Sequence, residues 1–198
     1  MLYLKYFITL SLFLFSSHQS QIAEKSPTTE MESERIAWDK DYSLLWSDFK
    51  AKADNYSSLD AYTMLGISLE VLGQKDGNVD MGVFGYFEKN KSWVKSKEKT
   101  ESLLSHEQSH FDLCEVYRRM MIEKLEARNP YSFKGFSDEV SVIFNEMFNA
   151  YTQEQARYDH ETDHSQKKEI QIQWNKFIAA ELLRLEKYDK LAASLQVK

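Results

Sequence analysis

Two periodicities divide the chain. Over residues 61–71, Thr63, Leu65, Ile67, Leu69 and Val71 fall on one face, and Tyr62, Met64, Gly66, Ser68 and Glu70 on the other. A period of two is that of a half-buried strand. Asp76-Gly77 marks a hairpin turn, and residues 79–88 alternate again through Val79, Met81, Val83, Gly85 and Phe87. A third short strand at residues 92–94 follows, so an antiparallel β-meander is expected. Ahead of it, Trp38, Tyr42, Leu44, Leu45, Trp46 and Phe49 bring bulky side chains that pack on the core as strand or irregular structure.

Beyond Val94 the period lengthens. Ser96 is suited to cap a helix, and helical spacing then lasts to about Arg128, where Asn129-Pro130 stops it. Leu103, Leu104, Phe111, Cys114, Tyr117, Met121 and Leu125 recur along it. A second helix from Ser137 toward Tyr158 carries Val140, Ile143, Phe144, Met147, Phe148 and Tyr151. A third carries Ile170, Trp174, Phe177, Ile178, Leu182 and Leu185. Strands followed by helices define an α+β fold, an N-terminal antiparallel β-meander followed by three long helices.

Composition narrows the setting. Residues 1–20 begin with Lys5, run through an apolar stretch at residues 7–15 and end in Ser16, Ser17 and Ser20. This is the layout of a signal peptide, and it is too short for the roughly 20 apolar residues of a membrane span. Residues 21–36 read as a flexible polar leader and residues 37–198 as one domain. The mature protein is expected to be secreted or periplasmic. The net charge is −6 and Lys and Arg are scattered, which argues against nucleic acid and, after signal removal, membrane as partners. With Cys114 as the single cysteine there is no internal disulfide.

The candidate chemistry sits in the first helix. His106-Glu107-Gln108-Ser109-His110 puts two imidazoles on one helix face, with Cβ atoms about 5 to 6 Å apart, and turns Glu107 about 100° away, free to act as a base. A shuffled chain of this composition shows the pattern about one time in a hundred. Cys114 lies about 12 Å along the axis from His106, too far to share its ion. Asp112 and Glu115 are expected on the far side of the helix, solvated or capping. The other two histidines beyond the signal region form a second literal match, His160-Glu161-Thr162-Asp163-His164, in polar surroundings at a helix end. A catalytic zinc takes three protein ligands and keeps one open position, so this segment is expected to add one ligand: His164, Asp159, Glu161 or His160.

The phrases Leu104-Ser105-His106-Glu107-Gln108-Ser109-His110-Phe111-Asp112 and Tyr158-Asp159-His160-Glu161-Thr162-Asp163-His164, with Gln171 and Trp174 beyond, resemble a bacterial family known as domain of unknown function 922. The resemblance implies a secreted zinc-dependent protease. The resemblance covers roughly residues 38–178 and extends to Trp46-Ser47-Asp48-Phe49 and Ser92-Trp93-Val94. The family pairs the first motif with a Tyr-Asp-x-x-Thr-x-His phrase, which favours Asp159 and His164 as the further site residues and implies a zincin-like active-site helix. Its final His is usually followed by Gly, where this chain has Ser165.

The expectation is therefore a zinc metallopeptidase. His106, His110 and His164 hold Zn2+, Asp159 orients a ligating imidazole or replaces His164 as ligand, and Glu107 is the general base toward a metal-activated water. The substrate is a peptide or protein, paired in extended form along the strand at residues 79–88. The alternative is a non-catalytic metal-binding or structural protein whose histidines close the coordination shell or hold two ions.

Overall fold

The computed structural model describes residues 34–198; the expected signal peptide and most of the expected polar leader lie outside the described residues. Arg35 and Ile36, at the end of the expected leader, lie in the first strand of the fold. The strands are β1 (Arg35–Ala37), β2 (Ala61–Tyr62), β3 (Leu65–Lys75), β4 (Asn78–Glu88), β5 (Trp93–Val94) and β6 (Ala192–Gln196). The helices are α1 (Glu101–Arg128), α2 (Phe136–Thr162) and α3 (Lys168–Arg184). The α+β class and three helices are as the patterns implied, and every strand pair is antiparallel.

The meander is not. β4 is the centre of the main sheet: β3 runs along one edge from Leu65↔Phe87 to Lys75↔Asn78, while β1 and β6 share the other, at residues 86–88 and 78–82. The stretch read as one strand at residues 61–71 divides at Thr63 and Met64, and its first part, β2, pairs with β5 in a separate ladder. Because β4 is covered on both edges it has no free edge to offer a peptide. The hairpin is local and follows its turn chemistry: Asp76 and Gly77 have φ of 51° and 75°, the left-handed pair of a two-residue hairpin loop.

Helix α1 begins at Glu101, later than Ser96 implied, because Thr100 accepts the Leu103 N–H at 3.2 Å and Lys95 to Glu98 turn first. It is the hub of the fold, in contact with both other helices and with β2, β3, β4 and β6. Its buried positions therefore go nearly all round: Phe111, Leu113, Cys114, Val116, Met121, Ile122 and Leu125, but also His106, Glu107, Ser109, Glu115, Arg118 and Arg119. Glu115, expected in solvent, is 2% exposed because Arg118 and Arg119 meet it from the next turn. Asp112 accepts from Trp38 Nε1 and Gln108 Nε2, both at 2.8 Å. Among the described residues no helix is long and apolar enough to cross a membrane.

Candidate metal centre

His106 and His110 project from α1 toward α2, and their Nε2 atoms stand 3.2 Å apart. Asp159, from α2, places Oδ1 3.1 Å from His106 Nε2 and 2.9 Å from His110 Nε2. His164, just beyond α2, brings Nδ1 to 3.3 Å from the same oxygen. His106, Asp159 and His164 each offer a donor atom within 4.8 Å of the others, a group that could hold a metal ion, and His110 lies closer still to two of them. A tetrahedral ion with ligands at about 2.0 to 2.1 Å separates its donors by about 3.3 to 3.4 Å. The four contacts fall within a few tenths of an ångström of that edge.

The shell behind these atoms sets their chemistry. His106 Nδ1–H donates to Gln171 Oε1 at 3.1 Å, and His110 Nδ1–H to Gln155 Oε1 at 2.5 Å. Gln155 is oriented in turn by donating Nε2 to the His110 carbonyl at 3.0 Å, and Gln171 by donating to Asn175 Oδ1 at 2.7 Å. With both Nδ1 protons committed to carbonyl oxygens, both Nε2 lone pairs point at Asp159 Oδ1, itself an acceptor. Three acceptors facing one another at this range call for a cation between them. The other way to satisfy this geometry is Nε2–H donors from charged imidazoles: burial alone would raise the Asp159 carboxyl, but hydrogen bonds of that kind from His106 and His110 outweigh it and hold the group well below the usual carboxylate range. Burial would lower His110, yet Asp159 and the Glu107 charge push it up.

Tyr158, fully buried, forms the wall. Its ring stacks on His106 at 4.6 Å and meets His110 edge-on at 4.7 Å, and its hydroxyl donates to Gln171 Oε1 at 2.8 Å. One side is open: the His106 side chain is 2% exposed, that of Asp159 33% and that of His164 53%.

The loop that presents His164 is built from left-handed residues. Asp163 caps α2 at φ 51°, and His164 and Ser165 follow at 48° and 77°. Ser165 thus occupies, where the resembling family usually has Gly, a conformation that costs an L-residue about 1 to 2 kcal/mol. Ser165→Gly is expected to stabilise the protein by about 1 kcal/mol and raise its melting temperature by about 2 to 4 °C, read by calorimetry.

Glu107 is 5% exposed, and its Oε2 accepts a 2.5 Å hydrogen bond from Thr63 Oγ1, in the break between β2 and β3. His160 and Glu161 are not brought to the centre. They line a separate shallow groove of about 570 Å³ between α2 and α3, with Arg157, Trp174 and Phe177. Trp174 Nε1 donates to Glu161 there at 2.9 Å. Cys114 is fully buried and its thiol is pushed up to about 12 by burial, a core residue as its distance along the helix implied. Sequence reasoning missed Thr63 and Gln155. For Gln155 a signal exists, since it sits one helical turn before Asp159 and so shares its face.

Residues 87–165, from the end of β4 through α1 and α2 to the His164 loop, match the sequence model of a family described as "Bacterial protein of unknown function (DUF922)". The match supports the resemblance seen in the two histidine motifs, and the family's description assigns no activity. No curated protein and no solved structure matches the chain.

Proposed function

We propose that the protein is an exported zinc-dependent hydrolase of peptide bonds, with His106 Nε2, His110 Nε2 and Asp159 Oδ1 as ligands. The observation that carries this reading is the convergence of three acceptor atoms from two helices, 2.9 to 3.2 Å apart, beside a buried glutamate. Imidazole nitrogen and carboxylate oxygen are a donor set that suits zinc. A zinc ion held there supplies Lewis acidity, lowering the pKa of water toward about 7 and polarising a carbonyl. The chain's own residues do the rest. Gln155 and Gln171 fix the imidazole tautomers, and Tyr158 excludes water from the inner side. Thr63 holds one oxygen of Glu107, leaving Oε1 to take a proton from water and pass it to the leaving nitrogen. The substrate is a peptide or protein that enters from the open side, past His164. Export is supported by the apolar run at residues 7–15 behind Lys5.

The second reading, a metal site without catalysis, is favoured by one contact: His164 Nδ1 stands 3.3 Å from Asp159 Oδ1, and these two with His106 form a group that could hold an ion. One experiment separates the two. Zinc affinity is measured by competition with a chromophoric chelator for the wild type, Asp159→Ala and His164→Ala, alongside hydrolysis of fluorescein-labelled casein. The expected result is one zinc per chain, chelator-sensitive hydrolysis, a loss above the about 10- to 100-fold typical of residues behind the ligands for Asp159→Ala, and less than tenfold for His164→Ala. Equal losses in the two variants, with no hydrolysis, would establish the second reading.

A further inference from the structure

The imidazoles of His106 and His110 are held by unlike devices. Gln155, behind His110, donates Nε2 to the His110 backbone carbonyl at 3.0 Å, an acceptor that cannot turn over. Its amide therefore has one way round, with Oε1 toward His110 Nδ1. Gln171, behind His106, comes from α3, and among the described residues its Nε2 meets only side chains. These are the Tyr158 hydroxyl at 2.6 Å, Asn175 Oδ1 at 2.7 Å and Ser109 Oγ at 3.3 Å.

The three partners differ in which end of an amide they accept. A hydroxyl both donates and accepts, so Tyr158 and Ser109 can satisfy either end. Tyr158 shows this directly, since its oxygen stands 2.8 Å from Gln171 Oε1 and 2.6 Å from Gln171 Nε2. Asn175 presents a side-chain carbonyl oxygen, which only accepts. It alone tells the nitrogen of Gln171 from the oxygen. Were the Gln171 amide turned over, its NH2 would take the place of Oε1, 3.1 Å from His106 Nδ1. Nδ1 would then accept, the imidazole proton would sit on Nε2, and the lone pair aimed at Asp159 and His110 would be lost.

Two features hold Asn175 in register. It follows Gln171 by one turn of α3, so the two side chains share a face, and its Oδ1 lies 3.0 Å from Ser109 Oγ on α1. Asn175 is exposed, and both it and Gln171 lie beyond residues 87–165, the part of the chain that matches the family model. Given the reading of His106 Nε2 as a zinc ligand, on which this rests, we propose that Asn175 is a positioning residue for the metal centre. By accepting from Gln171 Nε2 it sets which end of that amide meets His106, and so which imidazole nitrogen carries the proton. His110, braced by backbone, needs no such residue.

The test is zinc affinity near neutral pH, by chelator competition with zinc alone, for wild type, Asn175→Leu, Gln171→Glu and the two substitutions combined. Leucine is close to asparagine in size and offers no acceptor, so Asn175→Leu is expected to bind zinc about 10- to 100-fold more weakly than wild type. Glutamate has two like oxygens and no wrong end to present. Within Gln171→Glu, adding Asn175→Leu should therefore cost no affinity. A residue that merely packs α3 against α1 would lose the same factor in both backgrounds. Asn175→Asp, which keeps the acceptor, should bind at least as tightly as wild type. Circular dichroism verifies folding, and Asn175→Ala repeats the comparison with a smaller side chain if leucine prevents it. Three results overturn the role of Asn175 and leave the metal centre standing: no loss in Asn175→Leu, an equal loss in both backgrounds, or an aspartate variant as weak as the leucine one. A wild type that takes up no zinc overturns the metal centre and this role with it.

Discussion

Glu115→Ala is expected to lower the unfolding free energy by about 3 to 5 kcal/mol, the cost of leaving buried charges without their partner. Arg118 grips this carboxylate with two bonds, Nε to Oε2 at 2.6 Å and an NH2 donor to Oε1 at 2.7 Å, while Arg119 Nε reaches Oε1 at 2.7 Å. All three side chains are at most 4% exposed. The other anion within reach of the two arginines, Asp189, is 49% exposed and stands at 3.8 and 3.2 Å, too wet and too distant to compensate. The guanidinium groups also donate to backbone: Arg118 to the Lys190 carbonyl at 2.7 Å, and Arg119 to the Leu182 carbonyl at 3.2 Å. One carboxylate therefore aims two arginines that tie α1 to the end of α3 and to the segment leading into β6. Urea denaturation of wild type and variant measures the loss. Replacing Glu115, Arg118 and Arg119 together by apolar residues of similar volume should recover much of it, because no charge is then left unpaired. A loss under about 1 kcal/mol for Glu115→Ala alone would mean that water reaches the arginines and that the C-terminal segment is held by β6 pairing instead.

What was legible in the sequence was what local spacing determines. The β3–β4 hairpin follows from alternation on either side of Asp76-Gly77, and the three helices follow from apolar residues at helical spacing. β1 and β6 were not legible, since three and five residues suffice only because β4, far away in sequence, offers an edge to pair with. The apolar stripe of α1 showed one buried face of a helix that is buried nearly all round. The rest of its interior is polar, and Glu115 looks like a surface residue until Arg118 and Arg119 are seen to be buried with it. At the candidate metal centre the His106 and His110 pair was legible because one helical turn sets its geometry. The ordering of the later segment was not. Asp159 stands at the centre of three imidazoles while His160 and Glu161 face away, a consequence of how α2 is rotated against α1. Thr63 carries no pattern at all, since its contact with Glu107 joins a strand break to a helix 44 residues on.

Glu107→Gln should leave zinc stoichiometry unchanged and reduce peptide hydrolysis by about 10²- to 10⁴-fold, the range associated with a positioned general base. The two halves of this expectation have separate origins. Glu107 is adjacent to His106 in sequence but points about 100° away around the helix, so its loss removes no donor atom from the cluster of His106, His110 and Asp159. Glutamine keeps the size of the side chain and an oxygen to accept from Thr63 Oγ1, so the buried contact at 2.5 Å has a substitute and α1 is not disturbed. What glutamine lacks is an atom that can take a proton near neutral pH. Atomic emission on the purified variant and casein turnover under the same conditions give both readings on one sample. A variant with full zinc and wild-type turnover removes Glu107 from the base role. A variant that loses zinc along with activity shows instead that the glutamate charge helps hold the ion.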